Sequence, residues 1–410
     1  MPPRILLLLP STTYQAGAFL EGARRLGADV TVGTDHTSVF GAAQPDNLLA
    51  LDFTSSDGVT RRITEFAALH PVSAVLGVDD ATAVLAASAA RALGLRHAGL
   101  EACMAARDKF RQRTLARDAG LPVPAFALHR FDSDLSRAAR EQSYPCVIKP
   151  LHESMSRGVM RADDPDGFTR AVERLRAIVA SKGEEREFLV EAFVPGVELA
   201  LEGCLEDGHL VVLALFDKPD PLDGPFFAET IYATPSTLSA SDQQRVTSCV
   251  ERAAHAIGLA RGPVHAEVRL NAAGAWLVEL AARPIGGRCS AVLRFGPEGG
   301  VSLEELLLGA ALKGWERGSA GAWERERLAA AVYMIPVPRA GALRSVAGVD
   351  EARRVAHVED VMITAHIGQA LEPLPESNRY LGFIFARAER SETAVSALRA
   401  AHAKLAFELA

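Results

Sequence analysis

The stretch Gly262–Gly287, GPVHAEVRLNAAGAWLVELAARPIGG, decides the fold. Ahead of its turn, Ala266, Val268 and Leu270 alternate with His265, Glu267 and Arg269. Beyond Asn271-Ala272-Ala273-Gly274, Trp276, Val278, Leu280 and Ala282 alternate with Leu277, Glu279, Ala281 and Arg283. Alternation of period two on both sides of a short turn containing glycine predicts a β-hairpin. A loop of about three residues ending in glycine would close it. That register pairs Leu270 with Trp276 and Glu267 with Glu279. One face is then apolar, and the other carries His265, Glu267, Arg269, Glu279 and Arg283. Directly opposed Cβ atoms lie ~5 Å apart, so two unscreened carboxylates repel by roughly 3 kcal/mol at an effective dielectric near ~20. A cation between them, or a proton on one, relieves that repulsion. A divalent ion such as Mg²⁺, which takes carboxylate oxygens and keeps positions for phosphate oxygens, fits the need. A solvated face neutralised by Arg269 and Arg283 fits it as well.

Outward from the hairpin, the 410 residues are enough for two or three domains. Hydrophobic residues at 49% and charged residues at 23% are ordinary for a soluble globular chain. A net charge of −7, with scattered Lys and Arg, argues against nucleic acid or an anionic membrane as partner. Cys103, Cys146, Cys204, Cys249 and Cys289 form no CxxC pair and no zinc spacing, which predicts buried thiols in a reducing cytoplasm. The apolar run Ile5–Leu9 is too short for a signal-peptide core and reads as a buried first strand. No apolar run is long enough to predict a membrane span.

From Arg4 to about Glu101, strand and helix alternate: strands at Ile5–Leu9, Asp29–Val32 and Ala74–Leu76, helices at Ala16–Leu26 and Ala81–Leu93. This predicts a parallel sheet with helices on its faces. Its loops Pro10–Gln15 and Asp79-Asp80 lie past strand carboxyl ends, where such sheets bind ligands. No G-x-G-x-x-G supports a dinucleotide site. Arg107-Asp108-Lys109 opens a helix that ends near Gly120. Tyr144–Lys149 (YPCVIK) is a strand ending in lysine, followed by the small, polar run Leu151–Gly158 (LHESMSRG) and a return strand Val159–Arg161. Such a unit can fold over phosphates with backbone N–H groups and a lysine point charge. Phe188–Val194 is a strand carrying Glu191, and the kink Pro195-Gly196 leads to Glu198. Asp217–Thr237 is long, Pro-rich and aromatic, and irregular loops of that length are mostly functional. After the helix Leu303–Leu312, the Gly/Trp-rich Lys313–Trp323 reads as a boundary, and strands at Ala331–Ile335, Asp360–Ile363 and Gly382–Ala386 precede a last helix from Glu392.

In this order the residues resemble the ATP-grasp superfamily across essentially the whole chain, and within it carboxylate–amine ligases of the L-amino-acid (dipeptide) ligase type. The resemblance is carried by Asp108-Lys109, by Val147-Ile148-Lys149-Pro150, by Val190–Val194 with Glu198, by Glu267, Glu279 and Arg283, and by Tyr380–Phe385 near the end. It implies an α/β and α+β chain in three parts. Residues 1–105 would be a Rossmann-like parallel-sheet domain. Residues 106–320 would be the two-lobe nucleotide clamp, with a lid lobe over about 125–190. Residues 321–410 would be a small α+β domain.

The resemblance also implies roles. Lys109 and Lys149 would hold ATP phosphates, with Ser156 and Gly158 of the 151–158 loop closing over them. Ala192, Phe193 and Val194 would read the adenine edge, Glu191 would accept from its amino group, and Glu198 would bind the ribose. His265 would stand at the nucleotide site. Glu267 and Glu279 would hold Mg²⁺, or Mn²⁺ in its place, at the β- and γ-phosphates, and Arg283 would stabilise the γ-phosphoryl group in transfer. Gly286 and Gly287 offer backbone N–H groups to a carboxylate or acyl phosphate. Glu229, with Lys218 and Arg269, would border the amino-acid pocket. Ala281 stands where many relatives have asparagine.

The implied activity is an ATP-dependent ligase. It would form an amide or peptide bond between an amino acid and a second amino acid or amine through an acyl phosphate, releasing ADP and phosphate. Two alternatives stand beside it: an ATP-grasp ligase or carboxylase acting on a non-amino-acid carboxylate, and a nucleotide-binding regulator without chemistry. The expected partners are small molecules, the expected location is cytoplasmic, and a homodimer is left open.

Overall fold

The computed structural model describes residues 2–11, 13–36, 46–180, 186–296, 299–314 and 323–410. Gly262–Asn271 and Gly274–Ala281 form the antiparallel hairpin, with Glu267 opposite Glu279. Its turn is tighter than the sequence suggests. Asn271 pairs with Gly274, Leu270 with Ala275 and Arg269 with Trp276, so the expected Leu270–Trp276 pair is corrected. The Asn271 side-chain carbonyl accepts from the N–H groups of Ala273 and Gly274 and from the Trp276 indole, which closes a two-residue loop. A register shift beside Glu267 then leaves Val278 unpaired. That bulge takes up one residue and restores the Glu267–Glu279 pairing.

The hairpin is one end of an eight-stranded antiparallel sheet. Beside it lie, in order, Val197–Glu206, His209–Asp217, Ile231–Thr234, Ala329–Pro336, Tyr380–Ala388 and Val358–Ile363. The three strands expected of a separate C-terminal unit thus continue the sheet that bears Glu267 and Glu279. Ile231–Thr234 lies inside the segment that reads as one long irregular loop. Its four buried residues pair with Ala330–Tyr333. The interdomain boundary expected around residue 320 falls at 315–322, outside the described residues.

The N-terminal sheet is parallel, in the order Leu48–Ala50, Asp29–Thr34, Arg4–Leu8, Ala74–Gly77. Ile5, Leu6, Leu7 and Leu8 are wholly buried, as a strand covered on both faces requires. The lid is a separate antiparallel sheet, Phe126–Arg130, Glu187–Ala192, Cys146–Lys149 and Met160–Ala162. The helix Pro165–Ala180 packs Phe168, Val172 and Leu175 against it. Each of the five cysteines is a buried free thiol. Among the described residues no helix is long and apolar enough to cross a membrane.

Candidate active site

Between the hairpin and the lid sheet lies a cleft of about 1210 Å³, partly open to solvent. Its wall brings together Lys109, Lys149, Ser156, Glu191, Ala192, Phe193, Val194, Glu198, Glu229, His265, Glu267, Arg269, Glu279, Arg283, Gly286 and Gly287. Two residues from the sequence reading are not on that wall. Lys218 lies buried behind it, and Gly158 donates its N–H to the Pro375 carbonyl at 2.9 Å.

Asp108 caps the helix Lys109–Asp118 by accepting from the Arg111 N–H, which fixes Lys109 at its first position. The Lys109 ammonium donates to the Glu153 carbonyl at 2.6 Å and to Glu279 at 3.0 Å. One turn later on the same helix, Arg113 reaches Glu191, with Nε 2.5 Å from Oε1. The other Glu191 oxygen takes the Lys149 ammonium, also at 2.5 Å. Burial pulls the Lys149 pKa down from its ordinary value, although Glu191 opposes the fall. For Glu191, burial pushes upward, but Arg113 and Lys149 together hold the carboxyl below its usual range.

The Glu191 carboxylate is therefore engaged by two cations, which differs from its expected place on an adenine amino group. Ala192 and Phe193 likewise donate their N–H groups to the carbonyls of Ala125 and Pro145. Arg113 went unnoticed in the sequence. Its signal was the i,i+4 spacing from Lys109 on one helix face.

Behind the wall, Lys218 bonds three carboxylates: Glu198 at 2.8 Å, Glu267 at 2.9 Å and Glu229 at 3.1 Å. Burial alone would lower its pKa, yet the three glutamates raise it well above the ordinary lysine value. Arg269 holds the second oxygen of Glu198 at 2.8 Å and donates to the Val194 carbonyl at 2.9 Å. Its guanidinium lies over the Phe193 ring, which Arg161 covers from 4.4 Å. The Tyr232 hydroxyl donates to Glu229 at 2.6 Å.

Charge on the two opposed glutamates is thus met from both flanks, Glu267 by Lys218 and Glu279 by Lys109. Among the described residues no group of three or more His, Cys, Asp or Glu gathers as a metal site. A pair of carboxylates facing one cleft is nonetheless the donor set that suits Mg²⁺ completed by phosphate oxygens and water. Glu267 and Glu279 fit that requirement. Ala281 lines the same cleft and adds no oxygen donor from its side chain.

Arg283 leaves the end of the hairpin and ion-pairs through Nε with Asp80 of the N-terminal domain at 3.0 Å. Its Nη1 donates to the Pro284 carbonyl at 2.9 Å. Tyr14, from the loop after the first strand, stands against the Gly286-Gly287 turn; a Cβ on Gly286 would lie 3.4 Å from its hydroxyl. A second, wider cleft between the N-terminal domain and the lid is lined by Tyr14, Asp79, Asp80, Arg107 and His152, and it meets the first at Arg283 and Gly286. His265 is buried with Nδ1 3.6 Å from Glu202. Burial, with Arg283 adding to it, pushes its pKa down to about 3, so the imidazole is neutral.

Three family models match in the order of this architecture: the ATP-grasp N-terminal domain over residues 20–97, the ATP-grasp domain over 142–292, and the L-amino acid ligase C-terminal domain 2 over 333–410. Alanine–anticapsin ligase of Bacillus subtilis is 27% identical over 269 residues, covering 61% of this chain and 56% of the relative. D-Alanine–D-alanine ligase of Aromatoleum aromaticum is 30% identical over 189 residues, covering 45% of this chain and 59% of the relative. The chain spans about half the length of the curated relatives it matches. The crystal structure of L-amino acid ligase from Bacillus licheniformis superposes on the fold with a TM-score of 0.83 at 24% identity, covering 100% of this chain and 99% of the other. From the three matched domains in their order, and from the clamp they enclose, the chain belongs to the ATP-grasp superfamily.

Proposed function

We propose that this chain is an ATP-dependent carboxylate–amine ligase, joining an amino acid to a second amino acid or amine and releasing ADP and phosphate. The observation that carries the reading is the convergence in one cleft of Lys109, Lys149, the opposed pair Glu267 and Glu279, and Arg283 beside Gly286-Gly287. Relatives named for ligating alanine to anticapsin, or one D-alanine to another, support amino acids as the substrate class.

The division of labour follows from the contacts. Lys109 comes from the helix Lys109–Asp118 and Lys149 from the strand Cys146–Lys149, and both offer compact charges to phosphates. Glu191 and Arg113 fix where the Lys149 ammonium points. Val194 has its carbonyl tied to Arg269, while its N–H has no partner among the described residues and is the hinge donor left for the adenine edge. Glu198, braced by Lys218 and Arg269, faces the ribose position. Glu267 and Glu279 would hold Mg²⁺, which when bound draws charge from the β- and γ-phosphates. Arg283 has two donors committed to Asp80 and Pro284, which leaves Nη2 as the nitrogen that would meet the γ-phosphoryl group as it passes to the substrate carboxylate. Gly286 and Gly287 approach that carboxylate through backbone, with no side chain in the way. Glu229 would meet a substrate ammonium through the oxygen that Lys218 and Tyr232 leave free. The lid excludes water, which would otherwise hydrolyse the acyl phosphate.

Hydroxylamine tests this directly, because a small strong amine intercepts an acyl phosphate as a hydroxamate. With ATP, magnesium and a panel of amino acids, hydroxamate should accumulate with equal ADP and phosphate. AMP with pyrophosphate would instead mean adenylation. Nucleotide binding without turnover across the panel would mean a regulator.

A further inference from the structure

We infer that Asp80 is a positioning residue for Arg283, so that the N-terminal domain forms part of the phosphoryl-transfer site. The inference rests on the ligase reading above and adds a residue to it. Asp80 opens the helix Asp80–Ala92, directly past the strand Ala74–Gly77. The helix does not need its carboxylate for capping. Asp79 does that work, its side chain accepting from the Thr82 N–H at 2.8 Å in a reciprocal capping box. The Asp80 carboxylate is left to face Arg283, with Oδ2 3.0 Å from Nε. Burial would push its pKa up, but Arg283 pulls it below the ordinary aspartate value, so it faces Arg283 as an anion.

The platform beneath Asp80 is rigid. A Cβ on Gly77 would lie 2.2 Å from the Thr82 carbonyl carbon, so the strand end and the helix start touch through backbone. Arg283 is held on the far side by its bond to the Pro284 carbonyl. Two bonds to one planar guanidinium define its orientation, which a single contact would not. The alternative partner lines the same cleft, since Glu279 stands four residues before Arg283 on one wall. Without Asp80 the guanidinium would be drawn towards that carboxylate, away from the phosphoryl position and onto a metal ligand. Asp80 lines the second cleft and Arg283 lines both, so the pair stands where the two clefts join.

Asp80→Asn should lower turnover about 10- to 100-fold while the KM for ATP stays within about twofold, the signature of a misaligned transition-state contact. In an Arg283→Ala background the same substitution should cost nothing further, because the contact it serves is gone. Asp80→Ser, which keeps a residue suited to a helix start, gives the same test should the asparagine variant not fold. A second readout needs no acid substrate. ADP, magnesium and aluminium fluoride should raise the melting midpoint of the parent beyond ADP and magnesium alone, and both Asp80 variants should lose that extra gain. A parent that shows the gain but makes no hydroxamate would defeat the ligase reading and leave this inference standing or falling on the midpoint. Parent-like turnover in the Asp80 variants, a retained fluoride gain, or an undiminished loss in the Arg283→Ala background would overturn it.

Discussion

Lys218→Met removes the one cation that three half-buried glutamates share, while keeping the length and apolar stem of the side chain. The Lys218 side chain is only 3% exposed. Its loss does not strand three charges equally. Glu198 keeps Arg269 at 2.8 Å, and Glu229 keeps the Tyr232 hydroxyl at 2.6 Å. Glu267 keeps only a long contact to that hydroxyl, 3.4 Å. The net result is about one uncompensated, half-buried carboxylate, and breaking a buried pair from one side costs at most roughly 3–5 kcal/mol. That is a large part of the 5–15 kcal/mol by which a typical protein is stable, so the variant should fold with a plainly lower denaturation midpoint.

The deficit should depend on pH with a definite sign. In the parent, burial pushes the Glu229 pKa up, but Lys218 together with the hydrogen bonds around the carboxyl holds it below its ordinary value, so its contribution is present above the unfolded carboxylate range and lost as pH falls. In the variant, Glu229 loses the pull of Lys218 while burial still pushes its carboxyl up, so folding is favoured when it takes a proton. Urea midpoints of parent and variant should therefore differ most near pH ~8 and converge towards pH ~5. A difference under about 1 kcal/mol, or one that stays constant across that range, would refute the account of Lys218 as the shared counter-charge.

Glu279→Gln should leave the fold intact, because its partner Lys109 keeps the Glu153 carbonyl, yet turnover should fall to near background; equal turnover at saturating magnesium would remove Glu279 from the metal site. Glu191→Gln leaves Arg113 and Lys149 side by side without their anion, so ATP affinity should fall and stability should drop by roughly 3 kcal/mol, read by nucleotide titration and denaturation. Gly158→Ala forces a side chain into φ +74° with its Cβ 2.8 Å from Leu175, at a cost of about 1–3 kcal/mol. Amide exchange over 151–158 should then rise, and unchanged exchange would mean that the Gly158–Pro375 contact does not hold this loop.

Much of this arrangement was legible locally. Period-two alternation marked the hairpin, and the parallel N-terminal sheet followed from strands alternating with helices. The strand Ile231–Thr234 was hidden because four residues flanked by prolines carry too little pattern to stand out from a loop. The Val278 bulge was hidden because alternation reads the same on either side of one inserted residue. Pairings between distant segments left no local trace at all. Nothing near Asp80 points to Arg283, and nothing near Lys218 says that Glu198, Glu229 and Glu267 will all turn towards it. The small, polar 151–158 run gives no sign of an anchor, yet Arg157 is tied to the Glu376 carbonyl at 3.0 Å and Arg174 grips the Glu376 carboxylate. Those anchors come from a segment more than two hundred positions later.

The continuity of the eight-stranded sheet makes the last third of the chain inseparable from the site. Met334, on the strand Ala329–Pro336, reaches so close to Gly287 that a Cβ there would sit 2.4 Å from its sulfur. Amputating the chain ahead of that strand would take this wall of the cleft away. It would also lay bare Ile231–Thr234, a strand whose backbone would seek any neighbour on offer. Engineers who wish to swap substrate pockets between relatives should therefore exchange loops and single side chains, and leave the carboxyl-terminal strands in place as part of the scaffold.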